Sequence, residues 1–177
     1  MRLFVALRPP AEVLAHLRGS PLLDGLRRGR PGQEHVTLAF LGEVEAAAPL
    51  AVRLQEHLGG PPAVRAPRLR LSGAGSFGRV VWLGPRGERD ALRALHLAVT
   101  AALQDAGLPV DTRPWTPHLS VGRGSLPQAL QAYDGPAASW QDVALVQSTP
   151  GPDGVRHAAL RQWTLPSVGP AAQDVTP

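Results

Sequence analysis

Two short tracts constrain this chain more than anything else in it. His35-Val36-Thr37-Leu38 and, further along, His118-Leu119-Ser120-Val121 each set a histidine and a hydroxyl residue one apolar residue apart. A strand sends alternate side chains to opposite faces. His35 and Thr37 then share one face and Val36 and Leu38 the other, and His118 and Ser120 repeat the arrangement over Leu119 and Val121. Each tract buries two apolar side chains and presents an imidazole beside a hydroxyl. Strands facing each other across a groove would place the two imidazoles on opposite sides of one phosphorus atom, as cleavage of a cyclic phosphodiester requires. The competing reading is two ordinary half-buried strands that each open on a histidine. With six histidines and 44% hydrophobic residues, chance produces two such tracts in about four sequences in a thousand, so the pair carries weight that one copy lacks.

At 177 residues the chain suits one good core or two small, intimately packed lobes, and is too short for two ordinary independent domains. One unit over residues 1–166 is expected, followed by a disordered tail at 167–177, where little can be buried. The chain has no cysteine, which excludes a disulfide framework, a thiolate metal site and a catalytic thiol. No signal-like apolar start and no run of about eighteen apolar residues appears, so a soluble cytoplasmic protein with no membrane partner is expected. All eighteen basic side chains are arginine, and the net charge is +4. That excess favours an anionic ligand without demanding long-range binding to a duplex. Arginine suits two-point phosphate contacts, so which arginines face the groove matters more than how many there are.

Residues 2–7 read as a buried strand, 11–28 as an amphipathic helix kinked at Gly19-Ser20-Pro21, 35–41 as the first signature strand and 46–58 as a helix. Residues 65–72 and 79–83 read as a hairpin turned over 75–78. The clearest helix covers 88–106, with Gly107 where a C-cap glycine belongs. The second signature strand spans 118–122, a short helix 127–133, and closing strands 142–148 and 157–165. The halves echo each other, and the turns are too short for parallel crossovers. The expected fold class is α+β: a duplicated two-lobe architecture of two antiparallel sheets facing a central groove, with helices outside.

These residues resemble the two-histidine phosphoesterases, and within them the RNA 2′,3′-cyclic phosphodiesterases once described as 2′-5′ RNA ligases. His35 through Gly42 (HVTLAFLG) is similar to the family's first motif, and Arg113 through Arg123 (RPWTPHLSVGR) to its second. Residues 2–7 are similar to the opening strand and residues 75–84 to the middle hairpin. Ser148, Gly154, Leu160 and Leu165 fall where the closing segment is expected. Three features depart from the pattern: Ser120-Val121 replaces the commoner Thr-Leu, His157 stands where a Tyr is commoner, and Arg27, Arg28 and Arg30 lead into the first motif.

The resemblance implies a monomeric enzyme that opens an RNA 2′,3′-cyclic phosphate end, or a small nucleotide, to a 2′-phosphomonoester with neither metal nor cofactor. His35 would be the general acid at the ribose O3′ and His118 the general base on water. The sequence does not order the two roles, and microscopic reversibility lets them exchange in the ligating direction. Thr37 and Ser120 would bond the non-bridging oxygens, Arg123 would clamp the phosphate, and Phe40 would stack on the terminal base. Both Phe40 and Arg123 stand five places after their histidine. On an ideal strand that odd offset points them away from the groove, unless the strand ends, twists or bulges near Gly42 or Gly122.

His16, His57 and His96 read as surface or boundary residues of helices, and His157 as a solvated strand residue or a distant substrate contact. Trp82, Trp115, Trp140 and Trp163 read as core rather than as base platforms. Residues 73–78 suggest a hairpin turn better than a phosphate loop. Three rival functions remain in view. A metal hydrolase ligated by His35 and His118 lacks a nearby cluster of carboxylates or a third histidine. A non-catalytic RNA or nucleotide binder would not need both imidazoles and both hydroxyls. The third is the same chemistry on another cyclic nucleotide, a 2′-5′ oligonucleotide or an ADP-ribose cyclic phosphate.

Overall fold

Alternation along the first strand divides the molecule into two faces. In β1 (Arg2–Arg8), Leu3, Val5 and Leu7 join the main core, whereas Phe4 and Ala6 join a small second cluster with Ala144 and Val146. The computed structural model describes residues 1–61, 63–152 and 154–167. After β1 come α1 (Ala11–Arg18), β2 (Val36–Glu43), α2 (Ala48–Gly59), β3 (Arg68–Phe77), β4 (Val80–Gly87) and α3 (Arg89–Asp105). Then follow β5 (Leu119–Arg123), β6 (Ala138–Ser139), β7 (Asp142–Thr149) and β8 (Arg156–Thr164). Short 3-10 turns occupy Pro21–Leu23 and Gln128–Ala132.

Among the described residues, the strands form one curled eight-stranded sheet in the order β6-β3-β4-β5-β2-β1-β7-β8, with every pairing antiparallel. The helices contribute their apolar stripes to the core on one face: Val13 and Leu17 from α1, Leu50, Leu54 and Leu58 from α2, Leu92, Leu95, Val99 and Leu103 from α3. The face carrying Phe4 and Ala6 has no helix in its small cluster.

The expectation of two facing sheets is corrected. Hydrogen bonding runs continuously from β5 to β2, although through a single residue pair, Val36 with Leu119. The expected helix over 11–28 also stops early, at Arg18. Its second half is needed elsewhere: Arg27 and Arg123 exchange two backbone hydrogen bonds of 2.9 Å, which requires extended chain. Gly122 allows that approach, since a Cβ there would lie 2.9 Å from Leu26 Cβ. The middle hairpin is longer than expected, because β3 continues through Gly73 and Gly75. The two-residue strand β6 has no counterpart in the sequence reading. The predicted tail lies outside the described residues from 168 onward.

Two side chains secure the seam between β2 and β5. Within β2 the register with β1 slips: Val5 pairs with Ala39 and Ala6 with Thr37, so Leu38 is the extra residue of a bulge. Backbone carbonyls next to a bulge lose their ladder partners and need donors from elsewhere. Trp115 donates its indole N–H to the Thr37 carbonyl (3.0 Å), and His96 of α3 donates Nδ1–H to the Leu38 carbonyl (2.8 Å). The two rings stack with centroids 4.1 Å apart and planes 4° from parallel. The lead-in to the second motif is thereby tied to the backbone of the first. Trp115 is thus more than filler, and His96, a boundary residue of α3 as expected, also serves as a structural partner of the bulge.

Replacing Trp115 by Phe keeps a ring against His96 and removes only the N–H. The orphaned Thr37 carbonyl should cost about 1 kcal/mol, read as a lower urea midpoint at an unchanged slope. A midpoint equal to that of the parent would show that the indole bond does not hold the seam.

Candidate active site

His35 lies one residue before β2, and His118 one residue before β5. Each donates Nδ1–H to the carbonyl two residues earlier: His35 to Gln33 (2.6 Å) and His118 to Thr116 (2.8 Å). A carbonyl can only accept, so Nδ1 carries the proton in both rings and Nε2 is left for other partners. With Val36 opposite Leu119, the same register sets His35 across from Ser120 and Thr37 across from His118. All four polar side chains stand on the face opposite that buried pair, with the histidines diagonal to each other.

Aromatic rings from neighbouring strands support both imidazoles. Phe4 of β1 lies 4.8 Å from His35, and Trp82 of β4 lies 6.2 Å from His118. Phe77 adds an edge contact to His118 at 5.0 Å, and His157 of β8 meets both His35 (5.4 Å) and Phe4 (4.9 Å). Trp82 is half-buried beside His118 rather than a core residue. It crosses Gly75 of β3, where a Cβ would fall 2.2 Å from the indole. A glycine at that position leaves the indole room to lie across β3 beside His118.

The odd offset of Phe40 and Arg123 is resolved by a matched pair of irregularities. In β2 the extra residue before Phe40 is Leu38, a second slip at Leu41 following it; in β5 the extra residue is Val121, because Trp82 pairs with Ser120 while Val81 pairs with Gly122. Each bulge falls three residues after its histidine and resets the alternation. Directly opposed residues share a face. Phe40 therefore returns to the face of its partner Phe4, with ring centroids 6.3 Å apart. Arg123 returns, opposite Val80, to the face of Trp82 and Ser120. Phe40 is 62% exposed, too open for a core residue.

A cavity of about 270 Å³ joins the two motifs, lined by Thr37, Phe40, Phe77, Trp115, Thr116 and His118 among others. A smaller one of about 60 Å³ opens beside His35, with Arg8 and His157 in its wall. Burial pushes the His35 imidazole down to about 4; the bond to the Gln33 carbonyl opposes this, and the charges of His157, His118 and Arg8 add to it. His35 is accordingly neutral at pH 7 in the free protein. Burial also lowers His157.

His35, Thr37, Phe40, His118, Ser120 and Arg123 are thus brought to one face. Sequence reasoning missed four neighbours: Arg8, Phe77, His96 and Trp115. Arg8 was accessible in principle, since it continues the Phe4, Ala6 alternation. Of the other histidines, His16 meets the Tyr133 hydroxyl (2.9 Å) and His57 the Asp105 carboxylate (2.7 Å). Among the described residues, no three His, Asp or Glu side chains converge to hold a metal ion. No helix there is long and apolar enough to cross a membrane.

A family model described as the 2′-5′ RNA ligase superfamily matches residues 6–145. A relative from Escherichia coli (strain K12) named RNA 2′,3′-cyclic phosphodiesterase is 31% identical over 178 residues, covering 93% of this chain and 96% of that one. A relative of the same name from Geobacillus stearothermophilus is 38% identical over 119 residues, 59% of this chain and 36% of that protein. Among solved structures, E. coli LigT complexed with 3′-AMP gives a TM-score of 0.71 at 27% identity, over 93% of this chain and 97% of that one. TT0787 of Thermus thermophilus also gives 0.71, at 28% identity over 94% and 99% of the two chains. A full-length likeness in sequence and fold, added to the doubled motif, makes this chain a member of the 2′-5′ RNA ligase superfamily.

Proposed function

We propose that the groove hydrolyses the 2′,3′-cyclic phosphodiester at an RNA 3′ end to a 2′-phosphomonoester, with His35 and His118 as the acid and base. One observation carries the reading: two imidazoles, each tethered at Nδ1 and open at Nε2, flank a single seam with a hydroxyl across from each. The names of the relatives and the 3′-AMP bound to LigT support a nucleotide substrate.

Water attacks phosphorus on the side opposite O3′, and His118 Nε2 takes its proton. The P–O3′ bond breaks, and O3′ receives the proton held on His35 Nε2. Thr37 and Ser120 donate to the non-bridging oxygens, whose charge grows in the five-coordinate state. Arg123 adds a charged contact to the phosphate, and Phe40 offers a stacking face to the terminal base, tolerant of base identity. To act as the acid, His35 must take up a proton that burial denies it in the free protein; the arriving phosphodiester anion supplies the compensating charge. A monomer suffices, because one chain contributes every group named. The pairs β1-α1-β2 and β4-α3-β5, each antiparallel with a helix between and a bulge at the same offset, support reading the halves as a duplicated unit.

His35→Ala and His118→Ala should each lower kcat on a cyclic-phosphate-ended oligonucleotide by about 10²–10⁴, with the wild-type product identified as the 2′-monoester. Thr37→Ala and Ser120→Ala should cost less. Replacing the ribose O3′ by sulfur, which leaves without a proton, should restore His35→Ala but not His118→Ala. Rescue of the opposite variant would exchange the two roles, and wild-type protein that forms no monoester would remove the reading.

The profile of kcat/KM against pH should be bell-shaped, since the free enzyme must hold one imidazole charged and the other neutral. On the acid side activity is lost when the second ring gains its proton. The depressed His35 value moves that limb down to about pH 4. An acid limb near an ordinary histidine value, in protein still folded by circular dichroism, would contradict the buried and coupled state of His35.

A further inference from the structure

We propose that Arg8 and His157 form a second anion subsite beside His35. It takes the phosphodiester on the 5′ side of the terminal nucleoside, so cyclic-phosphate-ended strands are preferred to nucleoside cyclic phosphates. The inference rests on the reading of the groove given above and names its substrate class more closely.

The small cavity beside His35 has a volume of about 60 Å³, room for a compact anion and not for a base. Its floor is the apolar cluster of Phe4, Ala6, Ala144 and Val146, and its polar wall includes Arg8 and His157. Alternation after Phe4 and Ala6 brings Arg8 to this face. One guanidinium N–H is used on the Gly32 carbonyl (3.3 Å), which leaves four donors. Glu34 also lines the cavity, but its carboxylate is engaged elsewhere. Glu34 is held by Arg18 through two bonds of 3.0 and 2.9 Å and by the Gly32 N–H at 2.8 Å. Among the described residues Arg8 has no ion pair, so its positive charge is uncompensated at the cavity.

His157 supplies the second observation. Its Nδ1 is shielded from solvent and has no hydrogen-bond partner among the described residues. Buried polar atoms are nearly always partnered; this nitrogen is sealed from solvent, and it is the remaining edge of the ring that lines the cavity and would meet an anion there. Phe4 holds the imidazoles of His35 and His157 side by side, at 4.8 and 4.9 Å from its own ring.

This cavity is distinct from the one at the seam. It shares His35 but is not lined by Thr37, His118 or Ser120. It lies over β1, β7 and β8, which the strand order puts on the side of β2 away from β5. Thr37, Ser120 and Arg123 already surround the reacting phosphate. On an RNA 3′ end, the next anion along the chain is the diester on the 5′ side of the terminal ribose.

The test compares kcat/KM for a nucleoside 2′,3′-cyclic phosphate, a dinucleotide ending in the same cyclic phosphate, and that dinucleotide with an uncharged methylphosphonate linkage. One charge-assisted contact is worth enough to give the charged dinucleotide an advantage of about ten- to a hundredfold over the other two. In Arg8→Gln the ratio between charged and uncharged linkages should fall to about one, mainly through KM. His157→Phe, which keeps a ring on Phe4, should reduce the ratio part of the way. Equal treatment of charged and uncharged linkages by the wild type would overturn the subsite. So would a ratio unchanged in Arg8→Gln, with both substrates slowed alike, because Arg8 would then serve the reacting phosphate. Loss of all three activities in the wild type would instead remove the functional reading on which the subsite rests.

Discussion

The antiparallel pair Val36 with Leu119 is the constraint on which the site depends. Among the described residues it is the one ladder pair that joins the two halves of the sheet, and it fixes a register in which each histidine lies across from the other strand's hydroxyl. A slip of one residue would turn the histidine of the slipping strand toward the core and leave the other alone at the groove, since side chains alternate with period two. A single backbone pair is worth little by itself, so other interactions must hold the register. Val36, Leu38, Leu119 and Val121 provide them on the helical face, where all four are buried in one cluster. The stacked Trp115 and His96 provide them at the bulge. Apolar burial and two donated hydrogen bonds thus supply what a longer ladder would have supplied, and the short ladder leaves room for a groove.

The imidazoles are prepared before any substrate arrives. Each ring would otherwise exchange between tautomers and rotate about its side-chain bonds. The carbonyls of Gln33 and Thr116 remove that freedom by accepting from Nδ1, and the same contact leaves Nε2 as the one nitrogen able to exchange protons at the groove. The surroundings then make the two rings unequal. His35 packs against Phe4 and His157 and is pushed far down by burial, while His118 meets the half-exposed Phe77. The pair is chemically identical but not electrostatically so, and the acid role proposed for His35 depends on the charge of the bound phosphodiester to offset its burial.

Much of this was legible in the sequence because it follows from period-two alternation. The signature strands, the face shared by His35 and Thr37, and that shared by His118 and Ser120 needed nothing else. What alternation could not give is where it breaks. Leu38 and Val121 look like ordinary apolar strand residues, and their bulges exist only in relation to β1 and β4, whose register no single tract encodes. The same limit hid the donors. His96 and Trp115 matter because a bulge exposes two carbonyls, so neither residue type nor spacing announces them. The early end of α1 has a similar cause: Leu26 and Arg27 suit a helix by composition, but the edge of β5 at Arg123 claims them as extended chain. The single sheet, where two were expected, turns on one hydrogen-bonded pair.

The matched bulges also explain how a symmetric frame can acquire a direction. In each half the first and third residues after the histidine are buried apolar anchors, and the hydroxyl between them faces the groove. Continued alternation would then bury the fifth residue. Inserting one residue at the third position keeps both anchors in the core and still returns the fifth to the groove. That position is free to differ between the halves without disturbing the packing of either. Here the first half places an aromatic ring there, Phe40, and the second a cation, Arg123. Under the proposed chemistry, ring and guanidinium address different parts of one nucleotide, the base and the phosphate. The polarity of the substrate in the groove would therefore be set by two side chains at equivalent places, while the imidazoles and hydroxyls that act on phosphorus keep matching positions on the two strands.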